Sequence, residues 1–332
     1  MVLGELTPHL YFKKSNLVAS IASIFLFGII LLGTAESFAY SRVSSNSETY
    51  TISPGHSLDI IFDDMKLYYW QKILLKIYIK ANKINLIQAG HYDLIDKSWK
   101  QFIHSFETGE IKKFKFQIRA GSNLYELRSL INDSSLNRDC PDFGCLNNRF
   151  GYIEGTLMPE TYFYKFQSSV ASILKKSQDD FINFSEDLWL LKVNNNPLTS
   201  LADALILASI VEKEAGNDNE KKIIAGVFLH RLNLNMKLQA DPTIIYGLLP
   251  TFNGNITKNN IRDKNNLHNT YQIKRLPPTP ISFISKSSLE AVILSEPNKY
   301  LYFVAQGDGS HYFSKDYNEH LEAVRRYQLK KL

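Results

Sequence analysis

Cysteine is scarce in this sequence, blocks of like charge are absent, and only one long apolar stretch occurs; each shortage removes a class of protein. Two cysteines among 332 residues, Cys140 and Cys145, cannot by themselves complete a zinc site, which takes four ligands. No H-E-x-x-H, G-x-S-x-G, P-loop or Rossmann glycine pattern occurs, and Gly307-Asp308-Gly309 reads as a turn, so neither a metal nor a nucleotide cofactor is implied. Lysine and arginine number 38 against 33 acidic residues, but they are dispersed. The densest basic stretch, Lys112, Lys113, Lys115 and Arg119, alternates with Phe114, Phe116 and Ile118 as a strand with one wet face does, which argues against nucleic-acid binding. With 44% hydrophobic and 21% charged residues, the chain is neither largely disordered nor a many-span membrane protein.

What is present begins with an uncharged interval between Lys14 and Glu36. A bilayer core takes about 20 apolar residues, and Lys13 and Lys14 flank the N-terminal side. The expectation is a cytoplasmic tail (1–14) and a transmembrane helix (15–35), with the remainder exported. A cleaved signal peptide is the alternative, although the run exceeds the roughly 7–15 residues of a signal core. In an oxidising compartment Cys140 and Cys145 could close a small disulfide loop or remain two free thiols. Residues 36–48 are polar and serine-rich and read as a linker.

The expected fold class is α+β. Over 49–112 the pattern is a strand, a Pro54-Gly55 turn, two helices, a returning strand at Gly90-His91-Tyr92 and a further helix from Ser98. From 113 onward a larger mixed domain follows. Its segment Arg149 to Tyr164 is dense in aromatics and carboxylates, which suits a shaped surface. Between Leu198 and Leu238 two helices are marked by capping signals, Ser200 with Asp203 and Asn217 with Glu220. The first is apolar nearly all round from Ala204 to Val211, and into it the sequence places Glu212 and Glu214. A carboxyl at the end of a buried helix is desolvated and held toward its neutral form, as a general acid requires. Periodicity does not choose between the two, and both could instead be exposed partners of Lys213 or Lys221.

The blocks ALILASIVEKEAG and VFLHRLNLNMKLQADPTIIYGL, then His268-Asn269-Thr270-Tyr271, Leu276-Pro277-Pro278-Thr279-Pro280-Ile281, and Tyr300 to Ala305 resemble, in order, those of the MltG (YceG-like) family of endolytic murein transglycosylases. Glu154 to Tyr162, EGTLMPETY, fits the same pattern upstream, and Gly307 to Phe313 extends it downstream. The module over 49–112 looks like the LysM-type modules that hold N-acetylated glycans. Three departures stand out: Ala120-Gly121 in place of Glu-Gly, Thr279 where glycine is usual, and His268 in place of a tyrosine.

The resemblance implies a lyase anchored in the cytoplasmic (inner) membrane with its N-terminus inside and its catalytic domain (113–332) in the cell envelope. Such an enzyme cuts the MurNAc–GlcNAc bond of peptidoglycan strands and leaves 1,6-anhydro-MurNAc ends, terminating or trimming nascent strands beside synthases or division proteins. It implies Glu212 as the acid/base, with Glu214 second in line, and a groove drawing on Gln239, Asp241, Thr243, Tyr246, Asn269, Tyr271 and Glu160. Asp-Pro-Thr fits equally a structural turn in which Asp241 caps the following helix. The rival expectation is a non-catalytic, membrane-anchored wall-binding or assembly protein.

Overall fold

The computed structural model describes residues 8–45 and 47–329. The chain forms two compact units, divided between Phe114 and Lys115.

The first unit opens with α1, Pro8–Ala39. Within it Leu17–Ala39 is long and apolar enough to cross a membrane, and its most apolar 18-residue window, of mean hydropathy 2.4, is nowhere buried by protein. Residues 1–7 of the expected tail lie outside the described residues; Pro8 to Lys14 are already helical. The first part of the expected linker, 36–43, packs into the unit. Ala35 and Ala39 are buried in the core of the unit, Glu36 pairs with Lys100, and Ser41 and Val43 are hydrogen-bonded to Trp99 and Lys97. Small residues on one helical face let a neighbouring helix approach, so the last turn of α1 belongs to the fold.

Next come β1 (Thr49–Ile52), α2 (Leu58–Asp64), α3 (Tyr69–Ala81), β2 (Gly90–Asp93) and α4 (Trp99–Thr108). Strands β1 and β2 pair antiparallel, Thr49 opposite Asp93 and Ile52 opposite Gly90. Ser57 and Ser98 cap α2 and α4 by accepting from Ile60 and Gln101 amides, and Gly109, at a left-handed φ of 65°, ends α4 because that region carries no steric penalty for glycine. The core is aromatic: Phe62, Tyr92, Trp99, Phe102 and Phe106 are fully buried or nearly so. Phe102 and Phe106 meet edge to face at 4.7 Å, a geometry worth about 0.5–1.5 kcal/mol beyond area burial.

The division of the chain falls within β3 (Lys113–Gln117), which shares a two-stranded sheet with β4 (Thr161–Lys165). The second unit adds α5 (Leu124–Asn132), α6 (Val170–Trp189), α7 (Leu201–Glu214), α8 (Asp218–Asn233), α9 (Asp241–Gly247), α10 (Lys258–Arg262) and α11 (Lys286–Ile293). The hairpin β5 (Tyr302–Ala305) and β6 (His311–Ser314) then precedes α12 (Tyr317–Tyr327). Helix α7 is the centre: every residue from Ala204 to Val211 is buried, packed with Ile224, Phe228, Ile284, Leu289 and Val292 in one cluster. Ser200 and Asn217 cap α7 and α8. Between the helices sits Gly216, where a Cβ would lie 2.5 Å from the Gly309 carbonyl oxygen, so only glycine lets the β5–β6 turn rest on the α7–α8 junction. Cys140 and Cys145 are disulfide-bonded, their Cα atoms 5.3 Å apart.

Candidate functional site

Helix α7 ends in Val211-Glu212-Lys213-Glu214. Two residues along a helix turn the side chain by about 200°, so the two glutamates face opposite ways.

Glu212 faces α11. Its Oε2 receives the Ser285 amide (3.1 Å), the Ser285 hydroxyl (2.5 Å), the Ser288 hydroxyl (2.5 Å) and the Lys221 ammonium (3.5 Å). Ser285 is the N-cap of α11, so this carboxylate lies where the helix presents unpaired N–H groups and positive potential. Lys221 is itself 6% exposed and bonds Ser285, Ser287 and Asp218. The whole is a closed polar knot joining α7, α8 and α11.

Glu214 faces a cleft of about 490 Å³ lined also by Arg231, Gln239, Asp241, Tyr271, Tyr302 and His311. Among the described residues its carboxyl makes no hydrogen bond or ion pair. Burial, then repulsion from Asp241, push the carboxyl up to about 8, with Arg231 opposing. The side chain keeps some surface toward the cleft, so the desolvation grows as a ligand displaces cleft water.

The surrounding groups are fixed. Arg231, 6% exposed, donates Nε to the Leu301 carbonyl (2.7 Å) and a guanidinium nitrogen to the Leu238 carbonyl (2.6 Å), under the ring of Tyr302. Asp241 accepts from the Tyr271 hydroxyl at 2.7 Å. It does not cap α9: that place falls to Ala240, with no side-chain cap. Gln239 has a left-handed φ of 51°, a conformation uncommon outside glycine and enriched where function holds the chain. His311 is oriented by buried Glu220, whose two oxygens take its amide (2.7 Å) and its ring Nδ1 (2.9 Å), leaving Nε2 as the ring's other polar atom.

Of the expected groove residues, Gln239, Asp241 and Tyr271 join Glu214 at the cleft. Thr243 is fully buried, bonding the Ala240 carbonyl (2.6 Å) and the Thr270 hydroxyl (2.9 Å). Asn269, also fully buried, donates to the carbonyls of Asn260, Ile261 and Asp263. Both are scaffolding: Thr243 ties the start of α9 to Thr270, and Asn269 holds the end of α10. Tyr246 donates to Glu154 (2.9 Å), a carboxyl 3% exposed and raised to about 7 by burial, outside the cleft lining. Glu160 is a surface carboxylate, with 56% of its side chain exposed. His268 and Thr279, two of the departures from the expected pattern, are hydrogen-bonded to each other at 2.9 Å, so the substitutions sit in one contact. Sequence reasoning missed Arg231, Tyr302 and the Glu220–His311 pair; an arginine in the last turn of a buried helix was the available signal for the first.

A carboxyl raised by burial beside a second acidic side chain, in a cleft of aromatic and hydrogen-bonding groups, is an arrangement suited to acid–base chemistry on an α+β scaffold. Residues 50–326 match the YceG-like family, and the chain belongs to that family. It is 26% identical over 334 residues to a Bacillus subtilis protein named endolytic murein transglycosylase, covering 92% of this chain and 91% of that one. A Streptococcus pneumoniae protein of the same name is 30% identical over 188 residues, 54% of this chain and 33% of the relative; the chain thus matches about a third of that longer protein. A crystal structure of a YceG-like protein from Listeria monocytogenes superimposes with a TM-score of 0.56 at 28% identity, covering 82% of this chain and 97% of that one.

Proposed function

We propose that this chain is a membrane-anchored endolytic murein transglycosylase in which Glu214, rather than Glu212, is the acid/base. The observation that carries the assignment is the unpaired Glu214 carboxyl, raised to about 8, in the cleft with Asp241 and Tyr271. Glu212 holds four donors on one oxygen and would have to break that knot to move a proton.

In the proposed reaction protonated Glu214 donates to the oxygen linking MurNAc to GlcNAc as the C1–O bond breaks. The positive charge growing at C1 is offset by the Asp241 carboxylate, which Tyr271 holds in place. Glu214, now a carboxylate, takes the proton of the MurNAc C6 hydroxyl, whose oxygen closes onto C1. One bond breaks and one forms, Glu214 ends protonated, and no water is consumed, so the product end is 1,6-anhydro-MurNAc. Ordinary glycosidases need two carboxylates flanking the bond; here the substrate supplies its own nucleophile. His311, oriented by Glu220, supplies a fixed polar contact for sugar hydroxyls.

Helix α1 is the anchor, with its N-terminus in the cytoplasm and the second unit in the cell envelope. The strand–helix–helix–strand order of β1, α2, α3 and β2 supports a LysM-like, glycan-holding module. Limiting the length of nascent strands, beside synthases or division proteins, is the role that fits an enzyme tethered where strands emerge.

The test is mass spectrometry of material released from purified sacculi by the full chain, by Glu214→Gln and by Glu212→Gln. Anhydro-ended fragments from the parent and Glu212→Gln but not Glu214→Gln are the expected result. Water-added ends would make it a hydrolase, and undiminished product from Glu214→Gln would return the acid to Glu212.

A further inference from the structure

Three consecutive aromatic side chains stand in the open where α3 starts: its N-cap Tyr68 and its first two residues, Tyr69 and Trp70, are 71%, 80% and 54% exposed. Single exposed rings are unremarkable, but three adjoining large ones form a patch that water solvates poorly. Their position within the first unit says what covers them. The Trp70 ring meets Phe38 edge to face at 5.5 Å, and Phe38 lies one residue before the end of α1.

The uncharged interval of α1 ends at Glu36, and about 20 residues cross the hydrocarbon core, so Glu36 marks the exit. Phe38 is two residues further, about 3 Å along the helix axis. The headgroup layer is about 5–7 Å deep on each side. Trp70 therefore stands at the height of that layer. On the same turn of α1, Lys100 bonds Glu36 (3.2 Å) and the hydroxyl of Tyr40 (2.6 Å), and Tyr40 is 60% exposed. Tyrosine and tryptophan concentrate at this depth of a bilayer, where the ring body is apolar and the N–H or O–H end stays wet.

We infer that the first unit lies on the outer surface of the membrane, with Tyr68, Tyr69 and Trp70 immersed in the lipid headgroup layer. The occupant of the patch is the bilayer because Trp70 packs on Phe38, at the end of a helix whose side chains from Leu17 to Leu32 are almost all exposed. The inference rests on reading α1 as a membrane span. Its consequence is that the module touches lipid through a second contact, beyond the single helix.

Tryptophan emission tests this in the full chain reconstituted into phosphatidylcholine–phosphatidylglycerol vesicles. The difference between the parent and Trp70→Phe isolates Trp70 without disturbing buried Trp99. Lipid brominated close to the headgroup should extinguish that difference signal, lipid brominated at the chain ends should spare it, and aqueous acrylamide should reach it weakly. A second probe, Phe25→Trp in the Trp70→Phe background, reports on the span and should be quenched by deep bromine. If the position-25 probe is quenched while Trp70 ignores brominated lipid and is freely quenched by acrylamide, the anchor stands and the inference is overturned, leaving the rings for a soluble ligand such as glycan. If neither probe senses lipid, the anchor reading falls and the inference with it.

Discussion

The two faces of one helical turn carry the same residue to opposite ends. On the Glu212 face of α7, four donors converge on a single carboxylate oxygen and bind three helices together. On the Glu214 face the carboxyl has no donor among the described residues and looks into a cleft where Asp241 opposes its ionisation. A satisfied buried carboxylate stabilises a fold, whereas an unsatisfied one stores the tendency to give up or hold a proton. The difference lies entirely in what packs around the turn.

The widest expected gap between the two faces is in turnover. Glu214→Gln should lower the rate of product release by at least 10²–10⁴-fold, the usual worth of a positioned proton transfer, while Glu212→Gln should retain the activity of whatever fraction folds; rates normalised to folded protein decide it. The pH profile sharpens the point. The acid form of Glu214 is the reactive one, so the rate should fall as pH rises through about 8, and Glu214→Gln should erase that limb from any residual activity.

Stability should separate the faces with opposite sign. Between the ordinary carboxyl value of 4.5 and about 8, the unfolded chain ionises before the folded one, so the folded state loses ground as pH rises through that window. Thermal melting of Glu214→Gln should accordingly exceed the parent at pH 8, by of order 1–2 kcal/mol once cleft water is allowed for, and match it near pH 4. Glu212→Gln should instead melt lower, by about 1–3 kcal/mol, because the charged oxygen that Lys221 and the two serines share becomes a neutral amide and buried Lys221 loses that ion-pair partner. Equal shifts would dissolve the contrast. The smallest effect should come from Tyr271→Phe, which removes the donor to Asp241 and should cost up to about tenfold in kcat/KM, a hydrogen bond's worth.

Much of the frame could be read from sequence because local chemistry dictates it. Ser200 and Asn217 announce two helices by their side-chain oxygens, and the apolar run of α1 needs no context. The choice between Glu212 and Glu214 was not legible because α7 is buried on all sides, which leaves the pattern without a polar face to point the way. Thr243 and Asn269 sit in the right blocks, yet their polar atoms are consumed inside the fold, Thr243 by the Ala240 carbonyl and the Thr270 hydroxyl, Asn269 by the carbonyls of Asn260, Ile261 and Asp263. The start of the supposed linker was illegible for a related reason: Ala35 and Ala39 are as bland in an anchor as in a core, and only the packing of α3 and α4 distinguishes the two.

Helix α1 enters the first unit without a break, so its tilt is not absorbed by slack chain. An apolar segment longer than the local hydrocarbon thickness leans to fit, and a thicker bilayer lets it stand upright. With α1 as the anchor, the first unit leans with it. Under the proposed anchoring, the thickness of the surrounding lipid becomes a mechanical input to the angle at which α1 leaves the membrane.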